Sequence, residues 1–168
     1  MKDRFETVLE KLDSKVWSVG IKVPSEVSKK YIGQEYKRVL CTLNDIHTYQ
    51  APLLSMGESN YYINVNQQIQ KKLKIGIGDS IMAEIEPDNS KYGLPMPEEL
   101  SELLKMDNKG SEVFHKLTPG VQRNLIHIVG TPKSSEIRIR KAIAIVEYIK
   151  QVDGKIVFKE LNIALKNG

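Results

Sequence analysis

At 168 residues, 40% of them hydrophobic and 27% charged, the chain is long enough to bury roughly 70% of the surface its unfolded form would expose, so it needs no covalent staples. A single cysteine, Cys41, excludes an internal disulfide framework, and no apolar run approaches the roughly 20 residues that span a bilayer. With the charged opening MKDRFETVLE in place of a signal peptide, these features lead us to expect a cytoplasmic protein without membrane insertion.

The net charge of +4 is mild but uneven. Basic and acidic residues number 13 and 12 over residues 1–96, 3 and 5 over 97–116, and 9 and 4 over 117–168. The excess at the C-terminal end suits an acidic ligand or a nucleic acid.

Along the first 88 residues apolar side chains recur with period two, the mark of strands with one buried face. Residues 5–9 open the series. Trp17, Val19, Ile21 and Val23 follow, then Val39, Cys41 and Leu43, then Tyr49, Ala51 and Leu53, then Tyr61, Ile63 and Val65, and finally Ile81, Ala83 and Ile85. Two short helices interrupt them. One begins at Pro24 and pairs Val27 with Tyr31; the other is capped by Asn66 and carries Ile69 and Leu73. Six strands of this length predict a small closed or nearly closed β-barrel over residues 1–92, since closure removes exposed edges. The turn Gly76-Ile77-Gly78-Asp79 has the glycines of a phosphate cradle, but it follows a helix and opens a strand, the reverse of a dinucleotide fingerprint. Its ordinary reading is a helix end followed by a tight turn.

Residues 89–97, NSKYGLPMP, read as a linker, after which the period becomes helical. Pro97 opens a helix with Glu98 and Glu99 in its first turn and Leu100, Leu103 and Leu104 as its stripe. Asp107 caps a second, with Val113, Phe114 and Leu117. Thr118-Pro119 starts a third, which sets Val121, Leu125, Ile128 and Val129 on one side and Arg123 and His127 on another. Ser134 or Ser135 starts the longest, whose expected buried stripe is Ile139, Ala142, Ile143, Val146 and Ile149. The tail reads two ways, as a strand over 155–159 or a helix over 161–165. The expected fold is therefore α+β, a barrel of about six strands followed over 93–168 by a bundle of about four helices.

Chemistry is harder to find. His47, His115 and His127 lie far apart with no metal-ligand spacing, and Cys41 alternates with Val39 and Leu43 on the inner strand face, which makes it a small hydrophobe. There is no G-x-S-x-G elbow, no C-x-x-C and no Walker loop, so we assign no catalytic residue, metal or cofactor. Arg123, His127, Lys133, Arg138, Arg140 and Lys141 offer donors for phosphate or carboxylate. Arg140 sits four residues after Glu136, the spacing of a helical ion pair, which leaves Arg123, His127, Lys133, Arg138 and Lys141 as the candidate ligand-binding set. We expect a noncatalytic binding module with its site at the barrel mouth or the barrel/helix junction, taking a small anionic ligand or a protein partner. The alternatives are a nucleic-acid-binding protein using the basic C-terminal helices, and an enzyme of unrecognised type.

A set of residues spread over nearly the whole chain resembles the YdeI/OmpD-associated, bacteriocin-protection family in its longer form, with an N-terminal small β-barrel domain of unknown function. The residues are 17–24 with Glu26 and Val27, Arg38-Val39, 62–66, Gly78-Asp79, Asp88 with 95–104, 114–117, and 133–140. The block K-S-S-E-I-R-I-R is similar to the family's A-K-x-x-E-T-R-x-R segment, with Pro132 in place of alanine, Ile137 in place of threonine, and His127 where tryptophan is frequent. The resemblance implies a barrel plus a helical domain and little chemistry. Locally, VNQQIQKKLKIGIGDSIMAEIE is similar to swapped-hairpin transcription factors of the AbrB type, although this chain supplies its own strands and reads as a monomeric barrel.

Overall fold

The computed structural model describes residues 1–168 and divides them into two compact units, Met1–Asn89 and Ser90–Gly168. The first is a curled antiparallel sheet of seven strands, β1 (Asp3–Lys11), β2 (Val19–Val23), β3 (Arg38–Leu43), β4 (His47–Pro52), β5 (Leu54–Ser55), β6 (Tyr61–Asn64) and β7 (Ser80–Pro87), in the order β4-β3-β7-β1-β2-β6-β5. Its registers set Leu9 opposite Ile21, Ile21 opposite Ile63, and Cys41 opposite both Tyr49 and Ile85, so the alternating apolar residues meet on one face. Leu9, Ile21, Val39, Cys41, Leu43, Ile63, Ile81 and Ile85 are fully buried there.

The sheet is a half-barrel, and the expected closure does not occur. It curls far enough for the Tyr49 hydroxyl on β4 to donate to the Asn64 carbonyl on β6 at 2.9 Å, yet no ladder joins the two ends. The reason is local. β4 ends at Pro52, which has no amide hydrogen, Leu53 donates its own to the Lys37 carbonyl (2.8 Å), and the two residues of β5 that follow pair with β6, so the chain crosses the seam but β4 itself forms no ladder with β6. Trp17, expected at the head of the second strand, stands before it.

Two helices are inserted in this unit. α1 (Ser25–Gly33) starts after Pro24 and buries Ser28 and Tyr31; the Tyr31 hydroxyl donates to the Ile85 carbonyl at 2.8 Å, and burial holds this phenol well above its ordinary pKa. α2 (Gln67–Leu73) is capped by Asn66, whose side chain accepts the Ile69 amide at 2.9 Å. It ends on Lys74 in the left-handed conformation, before the Gly76–Asp79 turn. There the Asp79 carboxylate accepts the Gly76 amide at 2.7 Å, so the turn's amide already binds an anion from its own chain.

Five helices make the second unit, one more than expected: α3 (Glu98–Met106), α4 (Asn108–Lys116), α5 (Pro119–Gly130), α6 (Ser135–Gln151) and α7 (Phe158–Asn167). The tail is therefore helical. α7 buries Leu161, and its first turn is tied to α6 by the Tyr148 hydroxyl, which accepts the Val157 amide at 3.0 Å and lies 3.2 Å from Glu160 Oε2. Phe114, Leu100, Leu125, Ile126, Ile145 and Ile149 form the fully buried centre. Asp107 joins three elements: one carboxylate oxygen caps α4 by accepting the Gly110 amide (2.8 Å), and the other accepts from Lys150 Nζ on α6 (2.6 Å). No helix is long and apolar enough to cross a membrane.

Two predictions concern this fold. A β-carbon at Gly20 would stand 2.5 Å from the Ile63 carbonyl oxygen, a backbone atom that cannot step aside, whereas at Gly33 it would meet nothing. Gly20→Ala should lower stability in urea titration by about 1–3 kcal/mol. Gly33→Ala should be neutral or stabilising by up to about 1 kcal/mol.

The second concerns pH. The hydrogen bond from Lys150, followed by that from the Gly110 amide, holds the Asp107 carboxyl below its ordinary 3.8. A carboxyl depressed on folding contributes stability that is present above 3.8 and is lost as pH falls through and below it. Asp107→Asn should therefore be less stable than the parent at pH 7, with the gap between their melting temperatures narrowing below pH 4.

Candidate functional site

In the second unit a groove of about 380 Å³ lies between α3 and α6. Leu103, Met106, Ile139, Ala142 and Ile143 make its apolar part, and all three charged side chains lining it are carboxylates, Glu98, Glu99 and Glu102. Met106, Ile139 and Ile143 are 77, 46 and 47% exposed, which is unusual for large apolar residues brought side by side. The expectation that Ile139 and Ile143 belong to the buried stripe of α6 is thus overturned. The core keeps Ala142, Val146 and Ile149 of that stripe and adds Ile145 and Tyr148. At about 100° per residue, Ile139 and Ile143 fall on the flank of that arc. Spacing could have shown this, because the isoleucines of α6 cover more of the helix than one core contact can bury.

Ion pairs hold the groove walls near both ends. Near the N-termini, Arg138 Nε donates to Glu99 Oε1 at 2.8 Å, Ser135 Oγ donates to the same oxygen at 2.9 Å, and Arg138 Nη1 donates to the carbonyls of Pro132 and Lys133 at 2.9 and 2.8 Å. Near the C-termini the Asp107–Lys150 pair does the same work. Early residues pair with early and late with late, so α3 and α6 run in the same direction. The Glu99 carboxyl is held below its ordinary pKa, first by its own backbone amide at the helix start and then by Arg138 and Ser135.

The basic residues singled out from sequence do not form a convergent cluster. Arg138 is turned toward α3 and engaged by Glu99, with its guanidinium also lining a small adjoining depression beside Pro95, Met96, Pro97 and Gly130. Arg123 is half-buried on α5, His127 is exposed on the same helix, Lys133 is exposed in the turn before α6, and Lys141 is half-buried on α6. The one hydrogen bond within the set, from Arg138 to Lys133, uses a backbone carbonyl. Arg140 does not pair with Glu136; the ion pairs of α6 are made by Arg138, Glu147 and Lys150.

Other polar clusters have structural explanations. His115 Nδ1 donates to the Ser111 carbonyl at 2.7 Å, so its Nε2 accepts from the Tyr92 hydroxyl at 2.8 Å. A nitrogen that already carries a hydrogen cannot also activate the Ser111 hydroxyl 3.2 Å away, and the three groups are not a nucleophilic dyad. Burial pushes the Cys41 thiol up to about 12, so it is protonated and unreactive at neutral pH. His47 accepts at Nδ1 from Lys72 Nζ (3.1 Å), and burial together with that lysine lowers its pKa. No three His, Cys, Asp or Glu side chains converge in a way that could hold a metal ion.

Family comparison divides the chain in the same place as the fold. Residues 5–85 match the model of a domain of unknown function, DUF1905, and residues 94–151 match that of the bacteriocin-protection, YdeI or OmpD-associated family. Comparison with curated proteins yields no match. The second match takes in α3, α4 and α5 and ends at the last residue of α6, so both walls of the groove lie inside it. The chain thus joins a half-barrel that matches DUF1905 to a helical unit that matches the bacteriocin-protection, YdeI or OmpD-associated family.

Proposed function

We propose that the protein is a noncatalytic binding module whose ligand lies in the groove between α3 and α6. One observation carries this reading: three large apolar side chains, Met106, Ile139 and Ile143, stand exposed beside a concavity whose walls are held by the Glu99–Arg138 and Asp107–Lys150 pairs. Exposed apolar area on rigid elements is retained at a loss in solubility, and a ligand that covers it recovers the hydrophobic free energy. The volume falls in the usual range of ligand sites. This moves the site from the barrel mouth or domain junction to the helical unit. The lone, buried and unpaired Cys41 fits a reducing, cytoplasmic setting.

Nucleic-acid binding is a second reading, favoured by Arg123, Lys133, Arg140 and Lys141, which form no ion pair with a carboxylate. A thermal-shift screen of metabolites, nucleotides, short oligonucleotides and peptides separates the two. In the groove reading, apolar and cationic molecules raise the melting temperature, by the equivalent of about 2.7 kcal/mol at a hundred times Kd. Ile143→Lys removes the response, while the double substitution Lys133→Glu, Lys141→Glu leaves it. Responses confined to oligonucleotides, weakened by salt and lost in the double variant, would support the second reading. Steady turnover of any compound, abolished by one substitution, would overturn both.

A further inference from the structure

We propose that the occupant of the α3/α6 groove is an amphipathic helix of a partner protein with lysine or arginine beside its apolar stripe. The inference rests on the groove being the binding site and adds the chemistry of what fills it.

Shape is the first argument. The groove follows α3 from Glu98 to Met106, nine residues or about 13 Å, and stays open along that length. A small molecule lying there would keep one side in water. A helix of two to three turns, about 10 Å across, would cover Met106, Ile139 and Ile143 together and set anchors at i, i+3 or i+4, and i+7 into the trough.

Charge is the second argument. Glu98 makes no ion pair, Glu102 shares its charge only with the exposed Lys105 (2.9 Å), and Glu99 is engaged by Arg138 and Ser135. On α6, Glu136 lies three residues before Ile139 and Glu147 four after Ile143, so both stand along the same flank as the exposed isoleucines. Glu147 shares Lys150 with Asp107, and Glu136 makes no ion pair. Arg140, which makes no ion pair, lies three residues before Ile143 and about 100° from Ile139, so the unpaired groups along this rim are two carboxylates, Glu98 and Glu136, against one guanidinium. An apolar floor with this rim selects a stripe flanked by cations. It also disfavours a second copy of the chain in a two-fold contact, which would set these glutamates against one another.

The test uses the full chain and three fluorescent 14-residue peptides in an anisotropy titration. The first has a leucine stripe at helical spacing flanked by lysines, the second the same stripe flanked by glutamates, and the third the first peptide's composition with the stripe scrambled. The lysine-flanked stripe should bind at least about tenfold more tightly than either of the others, a difference of about 1.4 kcal/mol. It should lose at least that factor in Ile143→Lys, and in the double variant Glu98→Lys, Glu102→Lys, with circular dichroism showing each variant folded. Equal binding of the lysine and glutamate stripes, still lost in Ile143→Lys, overturns the charge assignment while the groove remains the site. Binding of the scrambled peptide as tight as the first, or binding indifferent to Ile143→Lys, overturns the proposal and the groove reading together; no binding by any peptide overturns the helical occupant alone and leaves the groove reading to the thermal-shift screen. A concentration-dependent doubling of mass that disappears in Ile143→Lys makes the occupant a second copy and also overturns it.

Discussion

The Arg138 guanidinium is the link on which the helical unit's organisation turns. It joins the first turn of α6 to Glu99 in the first turn of α3, and through the carbonyls of Pro132 and Lys133 it also folds the turn leading from α5 back onto α6. A planar group with several fixed donors can satisfy a carboxylate and two carbonyls at once, which a lysine ammonium would do with less directional control. The distant Asp107–Lys150 pair repeats the connection near the other ends of the same two helices. Between these ties the helices are kept parallel, and the surface between them keeps its shape although it is not filled by the protein's own side chains.

This arrangement changes the meaning of the block of residues 133–140. Two arginines and a lysine near a helix start invite the idea of an anion site, but the carboxylate that Arg138 meets comes from the neighbouring helix of the same domain. Its role is to position α3 against α6. Charge that looks free in sequence has been spent inside the fold. What remains outward on this side is apolar and acidic, the opposite of what the summed charge over 117–168 leads one to expect.

Much of the fold was legible because one physical signal dominated each half. Period-two apolar spacing located the principal strands, as the buried series Ile21, Val39, Cys41, Ile63 and Ile81 shows. Capping chemistry located helix starts at Asn66, Asp107, Thr118 and Ser134, each of which accepts a backbone amide near the start of its helix. Closure was not legible, because it depends on whether strands distant in sequence reach each other, and a two-residue β5 after Pro52 carries no periodic signal. The groove was not legible either. Ile139 and Ile143 match a helical core pattern, and only the position of α3 decides that the core closes over Ala142 and Ile145 and leaves them outside. The tail was ambiguous because the run KIVFK over 155–159 is β-branched and aromatic like a short strand, and the Tyr148 hydroxyl that anchors the start of α7 lies on another helix.

The seam of the half-barrel has a mechanical consequence. A closed barrel has no free end and must break a full ladder to open, whereas this sheet is a strip whose end strands, β4 and β5, follow one another in the chain through Leu53 and are further tied by the Tyr49 hydroxyl of β4 donating to β6. The two ends of the strip are the β3–β4 hairpin and the short β5, while β7 and β1 lie in the middle with a neighbour on each side. Opening therefore proceeds as peeling from a rim, with the amides of β4 and β5 reaching water before those of β1 and β7.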